Sequence, residues 1–251
     1  MNRKTVYRLI SVLFAVIAFV SILLYMASRK SPDPLPVSVS EETSQSISGN
    51  GDSEEEEYVS PIDFEALKKE SSDIYAWINI PGTKVDYPVL SHEGDEDYYL
   101  RRDIYGNYLF RGSLYTQSSY NRLDFSDRVV IIYGHNMTDG TLFGDLQRIY
   151  SNEETFREYP EFTIYLPDRE LDYEVIAGIP FSDWHIMEMY NRFEEEDNVK
   201  EFLNYCMNVH DLKAVKLSGY RPTGTEHLVI LETCQYNNYD ERFIVVGRLK
   251  E

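Results

Sequence analysis

The sequence predicts a mainly β domain: a closed or nearly closed barrel of about eight short strands with a few peripheral helices, preceded by one N-terminal transmembrane helix. Three observations carry this reading. Short runs rich in β-branched and aromatic residues recur between turn residues along the second two thirds of the chain. Helical patterns do not alternate with those runs, which argues against a parallel α/β sheet. A long uncharged stretch stands near the N-terminus, apart from everything else.

That stretch runs from Leu9 to Met26 and is flanked by Arg3, Lys4 and Arg8 on one side and Arg29 and Lys30 on the other. At roughly 18 residues it reaches the usual length of a spanning helix. The competing reading is a cleaved signal peptide, but Tyr25-Met26-Ala27 is a poor small-x-small cleavage site. Residues 1–30 are therefore expected to be a short cytoplasmic tail and an uncleaved anchor, with the rest of the chain outside the cell membrane. Residues 31–59 read as a disordered acidic spacer. Ser31-Pro-Asp-Pro-Leu-Pro36 is extended, Ser and Thr follow, and Glu54–Glu57 is an acid run with too little apolar content for a core. Residues 60–251 have the length of one domain.

Within that domain, Ser60-Pro61 and Asp63 look like a helix start with Pro at the first position, leading a short helix to about Ser71 that buries Phe64 and Leu67. Trp77 to Ile80 and Val85 to Val89 read as strands around Pro81-Gly82-Thr83. Tyr98 to Phe110 is aromatic-rich with Gly106-Asn107 in its middle. Arg128 to Tyr133 is a buried strand that stops at Gly134-His135-Asn136. Phe162 to Leu166, Asp172 to Ile179, Val215 to Leu217, Leu228 to Thr233 and Phe243 to Leu249 complete the strand set.

The formal net charge is −19; setting aside the five basic residues of the first thirty leaves about −24 for the remainder. Such a surface excludes nucleic acid as a partner, because phosphates require a basic footprint. Solubility beside an anionic envelope accounts for it more simply than a specific acidic function.

The chemistry concentrates at the C-terminal end. An apolar β-branched run ends in Cys234, a turn rich in Asn and Asp follows, and a second run begins at Arg242. Folded as an antiparallel hairpin, the segment brings Arg242 close to Cys234 across the ladder. A thiol at a strand end beside a guanidinium fits an activated nucleophile with a charge stabiliser. The plainer alternative for Arg242 is a surface arginine paired with one of many acids. Glu232 lies on the same strand face as Cys234 by the period of two, where it orients a partner, binds a cationic group or stands as a solvated edge carboxylate.

Cysteine catalysis also needs a proton donor and acceptor. His135 ends the most apolar strand and precedes a polar loop, where a rigid scaffold presents reactive side chains. His92, His185 and His210 sit in polar surroundings and read as surface histidines. His227 lies at the far end of the Cys234 strand, about 23 Å from it at the usual rise. Neither Cys234 nor His135 has a further ligand at metal spacing, the acids show no calcium-loop pattern, and no cofactor is required. Cys206, the second cysteine, falls with Val199, Phe202 and Leu203 on one face of an amphipathic helix, so a buried inert thiol is expected rather than a disulfide.

Three motifs in order resemble the sortases, and class B sortases in particular. Leu231-Glu-Thr-Cys234 with Arg242 downstream is similar to the family's Leu-x-Thr-Cys ending. Tyr133-Gly-His135-Asn136-Met137 resembles the class B histidine segment. Ala76 to Val89, followed by Asp97-Tyr-Tyr-Leu100 and Tyr105-Gly-Asn107, resembles a pattern specific to class B. The resemblance spans roughly residues 62–250. It departs at Ile230, where Thr is usual, and at Glu232, where a small polar residue is common.

The resemblance implies a sortase-type eight-stranded barrel and a membrane-anchored cysteine transpeptidase of Gram-positive bacteria. Cys234 would be the nucleophile, His135 the general acid and base, and Arg242 the oxyanion and substrate stabiliser. The substrates would be surface proteins bearing a C-terminal Asn/Ser-Pro-x-Thr-Gly/Asn motif, joined through Thr to a peptidoglycan precursor amine, or pilins joined to a pilin lysine. A helix-containing loop at about 181–226 would grip the sorting peptide. A membrane-anchored cysteine peptidase that releases product to water, and a non-catalytic surface module in which Cys234 merely packs, are the other classes compatible with the chain.

Overall fold

The computed structural model describes residues 58–235 and 238–250. The strands are β1 (Ile74–Asn79), β2 (Asp86–His92), β3 (Leu114–Gln117), β4 (Val129–Tyr133), β5 (Glu161–Tyr165), β6 (Glu170–Ser182), β7 (Val215–Lys216), β8 (Leu228–Gln235) and β9 (Asn238–Leu249). The α-helices are α1 (Phe64–Glu70), α2 (Leu146–Tyr150), α3 (Glu153–Glu158), α4 (Ile186–Met189) and α5 (Glu196–Asn208).

Eight strands form a ring in the order β5-β1-β2-β3-β4-β8-β9-β6, and pairing of β5 with β6 closes it. Closure leaves the ring no free edge that would invite pairing with another chain. The two-residue β7 adds to β6 beyond the end of β5. β2–β3 and β4–β8 pair in parallel; the other ladders are antiparallel.

The strands that position the site are apolar on both faces, and the packing shows why. Val130, Ile132, Val229, Leu231, Phe243 and Val245 fill the barrel interior together with Ile78, Leu146 and Phe162. Their neighbours Val129, Ile131, Leu228, Ile230, Ile244 and Val246 face outward into a second cluster with Phe202, Leu203 and Cys206 of α5. A strand covered twice needs a continuous apolar run instead of alternation, which is what 129–132 and 228–231 supply. α5 docks through Val199, Phe202, Leu203 and Cys206, each fully buried on the expected i, i+3, i+4, i+7 face. Burying one such large apolar side chain contributes about 1.5–3 kcal/mol.

Several boundaries differ from expectation for identifiable reasons. Helix α1 starts at Phe64, not at Pro61: the Asp63 carboxylate accepts from the Ala66 amide at 2.9 Å and sets the cap there. Strand β3 has no signal in the sequence because Leu-Tyr-Thr-Gln is short and only half apolar; all four residues are nonetheless buried between β2 and β4. The strand expected at 215–217 exists, but as the extra β7, so the ring reaches eight strands through β3 instead. The expected anchor at 9–26 lies outside the described residues, as does the spacer up to residue 57. Among the described residues no helix is long and apolar enough to cross a membrane.

Candidate active site

The β8–β9 hairpin places Cys234 directly opposite Arg242, as the sequence predicts. The ladder runs further than expected, with Gln235 pairing with Asn238 and a register shift between Cys234 and Gln235. Such an irregularity re-aims the adjacent side chain and bends the strand. Here it falls at the thiol. The outward face of β8 that carries Leu228 and Ile230 into the α5 layer continues through Glu232 to Cys234. Glu232 is opposite Ile244, which makes it the diagonal neighbour of Arg242. Its Oε1 lies 3.5 Å from Arg242 Nε.

The parallel β4–β8 pair supplies the histidine. Tyr133 is in register with Glu232, and the Gly134 amide donates to the Glu232 carbonyl at 3.1 Å. Two residues past Tyr133, His135 lines the same cleft as Cys234, which stands two residues past Glu232. Asn136 ties the two segments together: its Nδ2 donates to the Cys234 carbonyl oxygen at 2.8 Å. The approach needs glycine at 134, because a Cβ there would meet the Leu114 side chain and lie 2.6 Å from a Phe143 ring carbon.

His135 is half-buried, and its Nε2 is 2.9 Å from the Leu100 carbonyl oxygen. A carbonyl only accepts, so Nε2 carries the proton and Nδ1 is the nitrogen with the lone pair in the neutral ring. Phe110 lies parallel to the imidazole at 6.3 Å. Burial is the main influence holding the His135 pKa below its ordinary value, and the nearby Arg101 charge pushes the same way against the Leu100 hydrogen bond.

These residues line one open cleft of about 290 Å³. Its walls carry Cys234, His135, Arg242 and Glu232, together with Tyr115, Tyr133, Asp97, Asp183 and His185. The sequence reading missed the last of these. His185 is not a plain surface histidine: it is half-buried, its Nε2 is 2.8 Å from Gln117 Oε1, and its ring packs on Tyr120 at 4.7 Å. No local signal marks it, since the loop after β6 brings it to the cleft. His92 likewise has a structural partner, Asp73 at 2.7 Å, and stacks on Tyr98. His210 and His227 are exposed and stand outside the cleft lining, as expected.

Glu232 is not a solvated edge carboxylate. β8 lies between β4 and β9, and the side chain is only 11% exposed. Burial pushes its carboxyl up to about 7 despite the opposing Arg242 charge. Both cysteines are free thiols; Cys206 is fully buried, and that burial pushes its thiol far above the ordinary value. Among the described residues no group of three or more His, Cys, Asp or Glu side chains converges to hold a metal.

The chemistry such a cleft can perform is acyl transfer by a thiol, with a histidine to move the proton and a guanidinium to meet negative charge. Comparison with known proteins leads to the same place. A family profile described as the Sortase domain matches residues 78–250. Sortase B of Listeria monocytogenes is 28% identical over 186 residues, covering 73% of this chain and 72% of that protein. The solved structure of the Staphylococcus aureus sortase B–substrate complex superimposes with a TM-score of 0.63 at 25% identity, covering 75% of this chain and 84% of that one. A Streptococcus pyogenes class B sortase involved in pilus biogenesis does so with a TM-score of 0.62 at 27% identity, covering 75% of this chain and 98% of that one. With the barrel, the motifs and the profile in agreement, the chain belongs to the sortase family of cysteine transpeptidases, and its named relatives are of class B.

Proposed function

We propose that the Cys234 thiol is the nucleophile, His135 the general acid and base, and Arg242 the stabiliser of the oxyanion and substrate. The observation that carries the assignment is the placement of Arg242 opposite Cys234 on one ladder, with the β4 extension bearing His135 at its other side. Cys234 gives its proton to His135, and Sγ attacks the carbonyl carbon of a Thr in an Asn/Ser-Pro-x-Thr-Gly/Asn motif. Negative charge on the tetrahedral oxygen is met by Arg242. The C–N bond breaks as His135 protonates the departing amine, which leaves a thioester on Cys234. An acceptor amine then attacks the thioester, His135 takes its proton, and the C–S bond breaks to release the new amide and the thiol.

The acceptor in this reading is the amine of a peptidoglycan precursor, and the product is a surface protein joined to the cell wall. The relative from Streptococcus pyogenes that is involved in pilus biogenesis supports a second acceptor, a pilin lysine. An anchor at residues 9–26 would hold the extracellular domain in the same membrane as a lipid-linked acceptor and raise the effective concentration of one for the other. The segment containing α4 and α5 is the part of the fold expected to grip the sorting peptide.

Mass spectrometry of the purified chain with an Asn-Pro-Gln-Thr-Asn-type peptide tests this, with and without added amine. The expected result is a peptide adduct on Cys234 that amine converts to a new amide. Cys234→Ala abolishes both while retaining the fold. Free acid with no dependence on amine would make the protein a peptidase, and transpeptidation by Cys234→Ala would remove the nucleophile assignment.

A further inference from the structure

Glu232 is the only acidic residue of β8, and it shares its face with Cys234. The diagonal register puts Arg242 within reach of both side chains at once. Its contact with Glu232 is an Nε–Oε1 approach of 3.5 Å, longer than the roughly 2.7–2.9 Å of a close charge-assisted hydrogen bond. The surroundings do not favour a second negative charge. Tyr133 of β4 lies beside Glu232 in register, and Tyr115 of β3 stacks on Tyr133 at 5.5 Å. Burial keeps both phenols protonated. Asp97 and Asp183 bring further carboxyls to the cleft, while His135, His185 and Cys234 complete its titratable lining. Arg242 is the one permanently cationic side chain in that lining.

Taking Arg242 as the oxyanion stabiliser, we propose that Glu232 is a positioning residue that works in its neutral form, holding the Nε edge of Arg242 beside Cys234 without cancelling the guanidinium charge. Two anions cannot share one guanidinium without loss. An ionised Glu232 would compete with the tetrahedral oxyanion for Arg242 and repel it across the cleft. A bound peptide displaces water and disfavours the carboxylate further, so binding and catalysis both select the protonated carboxyl. Burial supports this by pushing the carboxyl up to about 7, which places the change of state near neutrality. Transpeptidation is then damped as pH rises through that value.

Two measurements on the full-length enzyme test the proposal. The first needs no substrate: carbon NMR of chain labelled at its glutamate carboxyls, with Glu232→Gln to identify the signal. One resonance is expected to titrate well above the ordinary value of 4.5. A Glu232 midpoint in the ordinary range would overturn the proposal. The second is the pH dependence of acylation. Between about pH 6 and about pH 9, wild-type kcat is expected to fall on the order of tenfold, while Glu232→Gln keeps its rate with KM little changed. An alkaline fall of the same size in Glu232→Gln would overturn the proposal. So would a tenfold loss in that variant at every pH, since it would show that the carboxylate itself is required. A wild-type chain that forms no adduct on Cys234 would instead overturn the transpeptidase assignment, and the carboxyl titration would still decide the charge of Glu232.

Discussion

Arg242 stands opposite Cys234 in the β8–β9 ladder while its Nε reaches diagonally to Glu232, 3.5 Å away. One guanidinium is thus shared along a single strand face between the thiol position and a nearly buried carboxyl. All three residues sit on paired strands that the barrel core covers on one side. Strand placement fixes a site more closely than loop placement does. The pieces contributed by loops, His135 and Asn136, are tied back to that strand pair by the Gly134 and Asn136 hydrogen bonds.

Gly134 is predicted to be intolerant of even a methyl group. A Cβ there collides with Leu114 and Phe143, so Gly134→Ala overpacks the junction and costs about 1–3 kcal/mol. Because His135 and Asn136 follow directly, acylation falls together with thermal stability. A variant with parental Tm and parental rate would show that β4 absorbs the methyl without moving the site.

Asn136→Ala removes the donor to the Cys234 carbonyl. The expected cost is about 1 kcal/mol in urea unfolding, typical of one hydrogen bond, and about a fivefold lower acylation rate as the β4 extension loosens from β8. Restoration by Asn136→Gln is not expected, since the longer side chain misplaces the amide. Unchanged stability and rate in the alanine variant would show that the contact is dispensable.

The two thiols are predicted to separate cleanly by reactivity. Cys206 is fully buried and its thiol is held protonated by that burial, whereas Cys234 opens into the cleft. Iodoacetamide on the native protein labels Cys234 alone, and denaturant is needed before Cys206 reacts. Peptide mapping checks this; native labelling of Cys206 would mean that α5 opens readily. Cys206→Ser buries a hydroxyl in an apolar cluster and is expected to destabilise by about 1–3 kcal/mol.

Glu232 carries a pH dependence of stability whose sign is unusual for an acid. Its folded value, about 7, is above the ordinary 4.5, so between the two the folded chain binds more protons than the unfolded one. Stability therefore declines as pH rises through that window, and the penalty is complete above it. Glu232→Gln is expected to gain about 1–3 kcal/mol over wild type near pH 8, with the difference vanishing below about pH 4.5. Unfolding titrations at both pH values check it, and a Gln variant that is weaker near pH 8 would show that the ion pair with Arg242 outweighs the cost of burial.

The features determined by the sequence itself are those set by short-range patterns. Apolar runs at 129–132 and 228–231 specify strands, since only an extended segment covered on both faces suits them. The i, i+3, i+4, i+7 spacing of Val199, Phe202, Leu203 and Cys206 specifies the docking face of α5. A single turn suffices to bring Arg242 to Cys234, so that pairing too is readable along the chain. What only the tertiary structure decides are relations between distant segments. His135 comes to the cleft of Cys234 through a parallel pairing of β4 with β8, and Asn136 bonds Cys234 across 98 positions. β3 becomes a strand because β2 and β4 flank it, despite a weak local pattern. His185 enters the cleft by the path of a loop. The charge of Glu232 also belongs to the fold alone, because a carboxyl's ionisation is set by the water it loses and the groups that surround it, none of which its neighbours in sequence reveal.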